Sequence, residues 1–454
     1  MSTGEILEKS QQFLLKVPGS SPESVKTFFE GNFEYLSGPY DSDEGYLKIK
    51  QKLTPGENLM YYLALPPSQF AMVSQKIKKN IYNPSVQNRL VVEKPFGKDT
   101  DSSQELLDSI ASIFKENELY RIDHYLGKEM VKNLMILRFG NVFFSTLWSR
   151  QCIDNVQIVF KESIGVEGRG GYFDEYGIIR DVLQNHMLQL LSLVAMERPA
   201  SLDPEDIRDE KVKVLKCIEP VHYGPEVVVG QYGPSPSHKG YAEEETVPSS
   251  SLSPTFAMLV LRVKNERWDG VPFIIRCGKG LHESKSEIRI QFRDVPGNLF
   301  PLNLRNELVM RVQPNECIYL KLVTKRPGLA MDPLLTDLDL SYHQRYEDVR
   351  IPDAYESLLL DVLKGDRQNF VRADELQAAW RIITPLLREL EQQRVAPLIY
   401  PFGSRGPPEA DELLQKVGYL RVPGTHQHEY SWPKISLSPR TSNQDMKRPK
   451  EEQQ

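Results

Sequence analysis

Apolar positions between residues 55 and 120 alternate between short runs and helical spacing. LMYYLALPP (59–67) is a brief apolar run stopped by two prolines, the pattern of a buried strand. QFAMVSQKIKKN follows with helix-like spacing, and RLVVEKPFG (89–97) is a second apolar run that ends at Pro95 and Gly97. Asp101 or Ser102 is placed to cap a helix over SSQELLDSIASIFKENE. Strand, helix, strand, helix is the rhythm of a parallel α/β layer. The chain changes character near residue 150. VQIVFKES (156–163) reads as a strand, and the glycine-rich GVEGRGGYFDEYG leads into a long apolar-rich helix, IIRDVLQNHMLQLLSLVAM. Strand-like runs then accumulate (TFAMLVLRV, PFIIRC, SEIRIQFR, ELVMRVQP, CIYLKLVT) with turns between them, which predicts an antiparallel sheet. Amphipathic helices over DAYESLLLDVLKG and DELQAAWRIITPLLRELEQQ are expected to pack on it. Residues 1–57 carry only short apolar pairs, and the polar tail after Trp432 is expected to be disordered.

Composition narrows the class. With 454 residues, 40% hydrophobic and 26% charged, the chain has the makeup of a folded protein of two or three domains. A net charge of −6 argues against a general nucleic-acid binder, while leaving room for a local basic pocket. No apolar run reaches the ~18 residues that a membrane span needs, and the first residues lack a signal-peptide layout. The four cysteines are scattered, which fits neither a disulfide framework nor a zinc site and suggests reduced thiols in the cytoplasm.

Three stretches carry candidate chemistry. RIDHYLGKE packs Arg121, Asp123, His124, Tyr125 and Lys128 together, a set of donors suited to a phosphate with a carboxylate able to orient a histidine. The bland reading is a polar loop between helices. DVLQNH places Asp181 and His186 five apart, roughly 140° around a straight α-helix, so they do not stack although both could reach one pocket. Histidine is the natural base near neutral pH, but a lone one on an apolar helix is more often a satisfied core residue. EKPFG sets Lys94 at the carboxyl end of a strand, where ligands of open α/β sheets gather. The paired histidines of HQH (426–428) lack a third ligand, so no metal is expected.

In order along the chain, YLALPP, VEKPFG, RIDHYLGKE, GRGGYFDEYGIIRDVLQNH, RDEKVKVL, NERWDGVPF, RCGK, RVQPNE, PDAYE and GSRGP resemble the glucose-6-phosphate dehydrogenase family from about residue 38 to Trp432. The resemblance implies α/β plus α+β architecture. An incomplete Rossmann-like domain (1–122) is followed by a substrate-binding and dimerisation domain on an antiparallel sheet with helices (123–432), then a tail (433–454). It implies oxidation of glucose 6-phosphate to 6-phosphoglucono-δ-lactone with hydride transfer to NADP, in a cytoplasmic homodimer or homotetramer without nucleic-acid or membrane partners. On it, His186 is the base and Asp123 its partner. His124, Tyr125 and Lys128 hold the phosphate. Lys94 bridges substrate and coenzyme from a turn fixed by Pro95, a candidate cis-proline. Glu162, Asp181, Lys279 and Gln313 meet the sugar. A second, structural NADP falls to Arg276, Lys285, Arg289, Arg311, Tyr319, Lys321, Asp339 and Arg405, closed by Tyr430 and Trp432.

The sequence departs from the family at three places. The G-x-x-G-D-L-A turn that cradles the coenzyme diphosphate does not occur in it, Ser284 stands where arginine is usual, and Phe70 where tyrosine is common. These departures set a second reading beside the enzyme: a non-catalytic relative that binds glucose 6-phosphate or structural NADP, or pairs with an intact subunit. An in-frame G-x-x-G-D-L-A upstream in the genome would mark a splicing or gene-reading artefact instead.

Overall fold

The computed structural model describes residues 2–17, 19–300 and 304–420. Two sheets organise it. The smaller has three parallel strands in sequence order, β1 (Leu59–Leu63), β2 (Asn88–Val92) and β3 (Leu119–Arg121). Helices Phe70–Asn80 and Thr100–Ala111 make the crossovers. The expected α/β rhythm is therefore present, and the cap of the second helix is corrected to Asp99. Its extended backbone lets the side chain accept from the Ser102 N–H, and the Ser102 side chain returns the bond. Asp101 and Ser102 lie inside the first turn.

The larger sheet has nine strands: β4 (Ile153–Lys161), β5 (Val227–Gly233), β6 (Phe256–Arg262), β7 (Pro272–Gly278), β8 (Lys285–Phe292), β9 (Glu307–Gln313), β10 (Cys317–Lys325), β11 (Pro333–Ser341) and β12 (Leu398–Pro401). Their spatial order is β11-β10-β9-β8-β4-β7-β6-β5-β12. The sheet is mixed, not purely antiparallel as expected: β4 runs parallel to β7, and β5 to β12. Both parallel contacts join strands distant in sequence, so no hairpin signal could announce them. One face is aliphatic, with Ile288 and Ile290 of β8 fully buried, and the long helical segment after residue 170 packs on β4 and β7. The other face carries the alternate residues of β8, among them Lys285, Glu287 and Arg289, and is also buried. Helices Ala354–Lys364 and Ala373–Gln392 match the two amphipathic stretches but pack mainly on helical elements and not on the sheet as expected, the first on the turn His124–Gly127 and the second on helices Pro204–Lys216 and Thr100–Ala111. Helices Thr3–Leu14, Pro22–Asn32 and Asp43–Lys52 occupy the region for which the pattern suggested no element.

Candidate active site

The turn after β2 is held where it is by a close approach. Gly97 has φ +89°, and a Cβ there would lie 2.5 Å from the Ser103 backbone nitrogen, so the EKPFG turn can sit against helix Thr100–Ala111 only with glycine. The Lys94–Pro95 peptide is cis, as expected, and so is Gln313–Pro314. RIDHYLGKE is not a loop between two helices. Arg121 ends β3, His124–Gly127 is one 3₁₀ turn, and helix Glu129–Phe139 follows. Asp123 caps that turn by accepting the Tyr125 N–H at 3.0 Å.

The expected long helix is three pieces. An α-helix, Gly170–Ile178, breaks at Gly177 (φ 64°, ψ 169°); a π-helix spans Ile179–Met187; an α-helix resumes over Leu188–Ala195. A π-helix bonds residue i to i+5 and carries more residues per turn, so residues five apart lie closer to one face than in an α-helix. The angular separation expected between Asp181 and His186 is thereby reduced, and both side chains reach the same wall.

That wall bounds a cavity of about 820 Å³. Lys94, His124, Tyr125, Glu162, Asp181, His186, Lys279 and Gln313 all line it, together with Ala64, Leu65 and Pro66 after β1. Asp123 lies behind His186, its Oδ1 2.6 Å from the ring Nδ1. A carboxylate can only accept, so Nδ1 carries the proton, and in the neutral ring the lone pair is on Nε2. The His186 ring stacks on Tyr125 at 4.5 Å and meets His124 edge-on at 4.6 Å, so its orientation is fixed on two sides. Lys94 Nζ donates to Asp181 Oδ1 at 3.0 Å and to the Asp181 carbonyl at 2.9 Å, while Lys279 pairs with Glu162. Lys128 does not line the cavity; its ammonium lies 5.3 Å over the Tyr125 ring.

Burial and neighbours set the charge states. Burial opposes ionisation of Asp123, but the adjacent His186 outweighs it and holds the carboxyl below its ordinary range. Asp181 is treated the same way, with Lys94 as its counter-charge. Burial and the neighbouring His186 lower His124 to about 3, so it is a neutral donor. Burial raises the Tyr125 phenol and lowers Lys128. The ligand atoms of Asp123, His124 and His186 lie within 4.8 Å of one another, a spacing that the His186–Asp123 hydrogen bond already accounts for.

The residues assigned to a second nucleotide form a separate cluster on the polar face of β7–β11. Arg289 meets Glu307 at 2.7 Å and Glu287 at 3.0 Å, and Arg311 meets Glu287 at 3.0 Å. Lys321 lies 3.3 Å from Glu307, and Lys285 lies 3.1 Å from Glu283 and 3.4 Å from Glu287. Arg276 and Arg405 share Asp411, each at 3.3 Å, and Tyr319 and Asp339 are paired across β10 and β11. The sequence reading missed Glu283, Glu287, Glu307 and Asp411. Strand register brings Glu287 and Glu307 to the cations, and the turn before β8 and helix Pro408–Lys416 bring Glu283 and Asp411. Ser284 does not reach the cavity and bonds Ser163 at 2.8 Å, and Phe70 is buried in the core. Tyr430, Trp432, the two histidines of HQH and the tail 433–454 lie outside the described residues. Among the described residues, no helix is long and apolar enough to cross a membrane.

Comparison with known proteins identifies the family. Residues 2–133 match the family described as glucose-6-phosphate dehydrogenase, NAD binding domain, and residues 135–431 match glucose-6-phosphate dehydrogenase, C-terminal domain. A glucose-6-phosphate 1-dehydrogenase of Emericella nidulans is 50% identical over 448 residues, covering 97% of this chain and 87% of its own. One from Takifugu rubripes is 52% identical over 424 residues, 91% of this chain and 79% of its own. A solved glucose-6-phosphate dehydrogenase in complex with its substrate glucose-6-phosphate superposes with TM-score 0.88 at 50% identity, covering 93% of this chain and 89% of that one. The chain belongs to the glucose-6-phosphate dehydrogenase family.

Proposed function

We propose that this protein oxidises glucose 6-phosphate at C1 to 6-phosphoglucono-δ-lactone, with NADP as acceptor. The observation that carries the reading is the His186–Asp123 pair, bonded at 2.6 Å in the wall of a cavity lined by two lysine–carboxylate pairs. His124 and Tyr125 offer donors to the 6-phosphate, and Lys128 behind Tyr125 supplies positive charge. The 1-hydroxyl gives its proton to His186 Nε2 as the C1–O bond becomes a carbonyl. Asp123, kept ionised, stabilises the imidazolium that results. The nicotinamide, when bound, supplies the acceptor for the hydride leaving C1. Lys94, at once on Asp181 and on the cavity, touches both ligands on this reading, while Asp181, Glu162, Lys279 and Gln313 meet sugar hydroxyls.

No G-x-x-G-D-L-A turn occurs within the 454 residues, and we take Lys94 as this chain's own contact to the catalytic coenzyme. The second nucleotide is assigned to the sheet face through Arg276, Lys285, Arg289, Arg311, Tyr319, Lys321, Asp339 and Arg405. The fit is supported by the gathering of the buried cations Arg276, Lys285, Arg289 and Arg311 on one face of the sheet, the guanidinium and ammonium chemistry that nucleotide phosphates take. We place the domain boundary after Ile122, just past β3, and infer self-association as a homodimer or homotetramer. The outer strand β11 and the turn before it expose Met331, Leu334 and Leu338, which supports a second copy there. A cytoplasmic location follows two Arabidopsis thaliana relatives named as cytoplasmic. The test is the rate of NADPH formation from glucose 6-phosphate and NADP, beside His186→Asn. Turnover that depends on His186 is expected; none from folded protein would overturn the proposal.

A further inference from the structure

We propose that Asn185 is a positioning residue that locks the π-turn and so sets His186 against Asp123. The inference rests on the reading of His186 as the base. In an α-helix the Asp181 carbonyl would accept from the backbone N–H of Asn185, four residues on. In the π-turn the backbone partner moves one residue further on, and the Asn185 side chain adds its own bonds: Nδ2 donates to the carbonyls of Asp181 at 3.1 Å and Arg180 at 3.2 Å. The same amide's Oδ1 accepts the backbone N–H of His186 at 2.7 Å. One side chain thus grips the two carbonyls at the start of the turn and the amide of the base at its end. Lys94 donates to the Asp181 carbonyl from the other side, at 2.9 Å. A π-helix is rare and is kept only where something holds it. Gly177 breaks the preceding α-helix, and the Asn185 amide adds a side-chain donor to the Arg180 and Asp181 carbonyls of the wider turn.

Asparagine is specified by this arrangement. The bonds need donors and an acceptor on one short planar group. Aspartate of the same size would press oxygen against two carbonyl oxygens, and alanine would leave all three groups to the backbone. Relaxed to α geometry, residues 181 and 186 separate by about 140°. Asp181 with Lys94, and His186 with Asp123, could then no longer both face the cavity.

The test uses the full chain with Asn185→Ala and Asn185→Asp. The first measurement needs no ligand. In protein labelled with ¹⁵N-histidine, the low-field Nδ1–H resonance of His186 is identified by its loss in His186→Asn. We expect both Asn185 variants to lose or move that resonance while the thermal midpoint of Asn185→Ala stays within a few degrees of the parent. The second measurement splits the kinetic constants. Misplacing a base by about 1 Å costs about a hundredfold, so kcat should fall about that much. KM for glucose 6-phosphate should change far less, because His124, Tyr125 and Lys128 are on another element. An unmoved resonance with kcat within threefold overturns the proposal. So does a loss of stability with the resonance in place, which would make Asn185 merely structural. If the parent shows no turnover, the functional reading fails, and the resonance still decides the role of Asn185.

Discussion

Two charged regions of this molecule use the same residue types in opposite ways. Around the cavity, each charged group is held by one partner and still presents an atom or a side to the open space: Nε2 of His186 beyond Asp123, and Lys94 beyond Asp181. On the polar face of the nine-stranded sheet, cations are tied to carboxylates that are themselves buried, with Glu287 at 0% and Glu307 at 2% exposure. The first arrangement is poised to act on a ligand. The second is near electrostatic balance on its own, and Glu287 and Glu307 are held below their ordinary range, against burial, by Arg289 with Lys285 and Lys321 respectively. Removing a group from the cavity should therefore cost chemistry with little loss of fold, and removing one from the sheet face should cost fold with little direct effect on chemistry.

His186→Asn gives that comparison its hardest test. Loss of a general base costs about 10²- to 10⁴-fold, and kcat should fall by that amount while glucose 6-phosphate still raises the thermal midpoint. An active variant would end the assignment. Asp123→Asn should follow closely. It keeps the shape but can donate where it must accept, so the ring loses its tautomer preference; kcat should drop about 10²-fold or more, with KM nearly unchanged. On the sheet face, Glu307→Gln leaves Arg289 and Lys321 facing a neutral group. Breaking a buried pair costs about 3–5 kcal/mol, so the denaturation midpoint should fall sharply in urea while kcat per folded molecule holds. Equal losses of kcat and stability in both regions would abolish the distinction.

The two regions also differed in how far the sequence disclosed them. RIDHYLGKE carries Asp123, His124, Tyr125 and Lys128 within one 3₁₀ turn and its flanks, so contiguity alone presented a candidate site. The sequence left open that Asp181 and His186 reach one pocket, but the π-turn that brings them to one wall was hidden, because i→i+5 bonding has no periodic signature in the apolar pattern. Strand β11 escaped for another reason. PLLTDLDLS has no buried residue, so there was no buried stripe to detect, and helix Thr3–Leu14 likewise buries none. The carboxylate half of the sheet face, Glu287 and Glu307, needed the register of β8 with β9 to meet its cations.

The smallest effect is also the most selective. Burial lowers Lys285 to about 6 in the folded chain, against about 10.4 when unfolded. Between those values the unfolded state binds the extra proton, so this group makes stability rise with pH across that window. His124, lowered to about 3, acts in the same direction from about pH 3 to its unfolded value near 6.5. The depressed carboxylates Asp123, Asp181, Glu287 and Glu307 contribute stability above about pH 4 that is lost as pH falls. A phosphate bound beside Lys285 adds its negative charge to that of Glu283 and Glu287 and favours the protonated form of the amine. Binding of NADP to the sheet face at pH 7.5 should then take up a proton, at most one per site. Calorimetric titrations in buffers of different ionisation enthalpy measure that uptake, with His186→Asn used throughout so that no turnover intervenes. Lys285→Met should abolish it, because burial disfavours the charged form of Lys285 in the unliganded chain. Uptake that persists in Lys285→Met would assign the proton, and with it the nucleotide phosphate, to another part of the molecule.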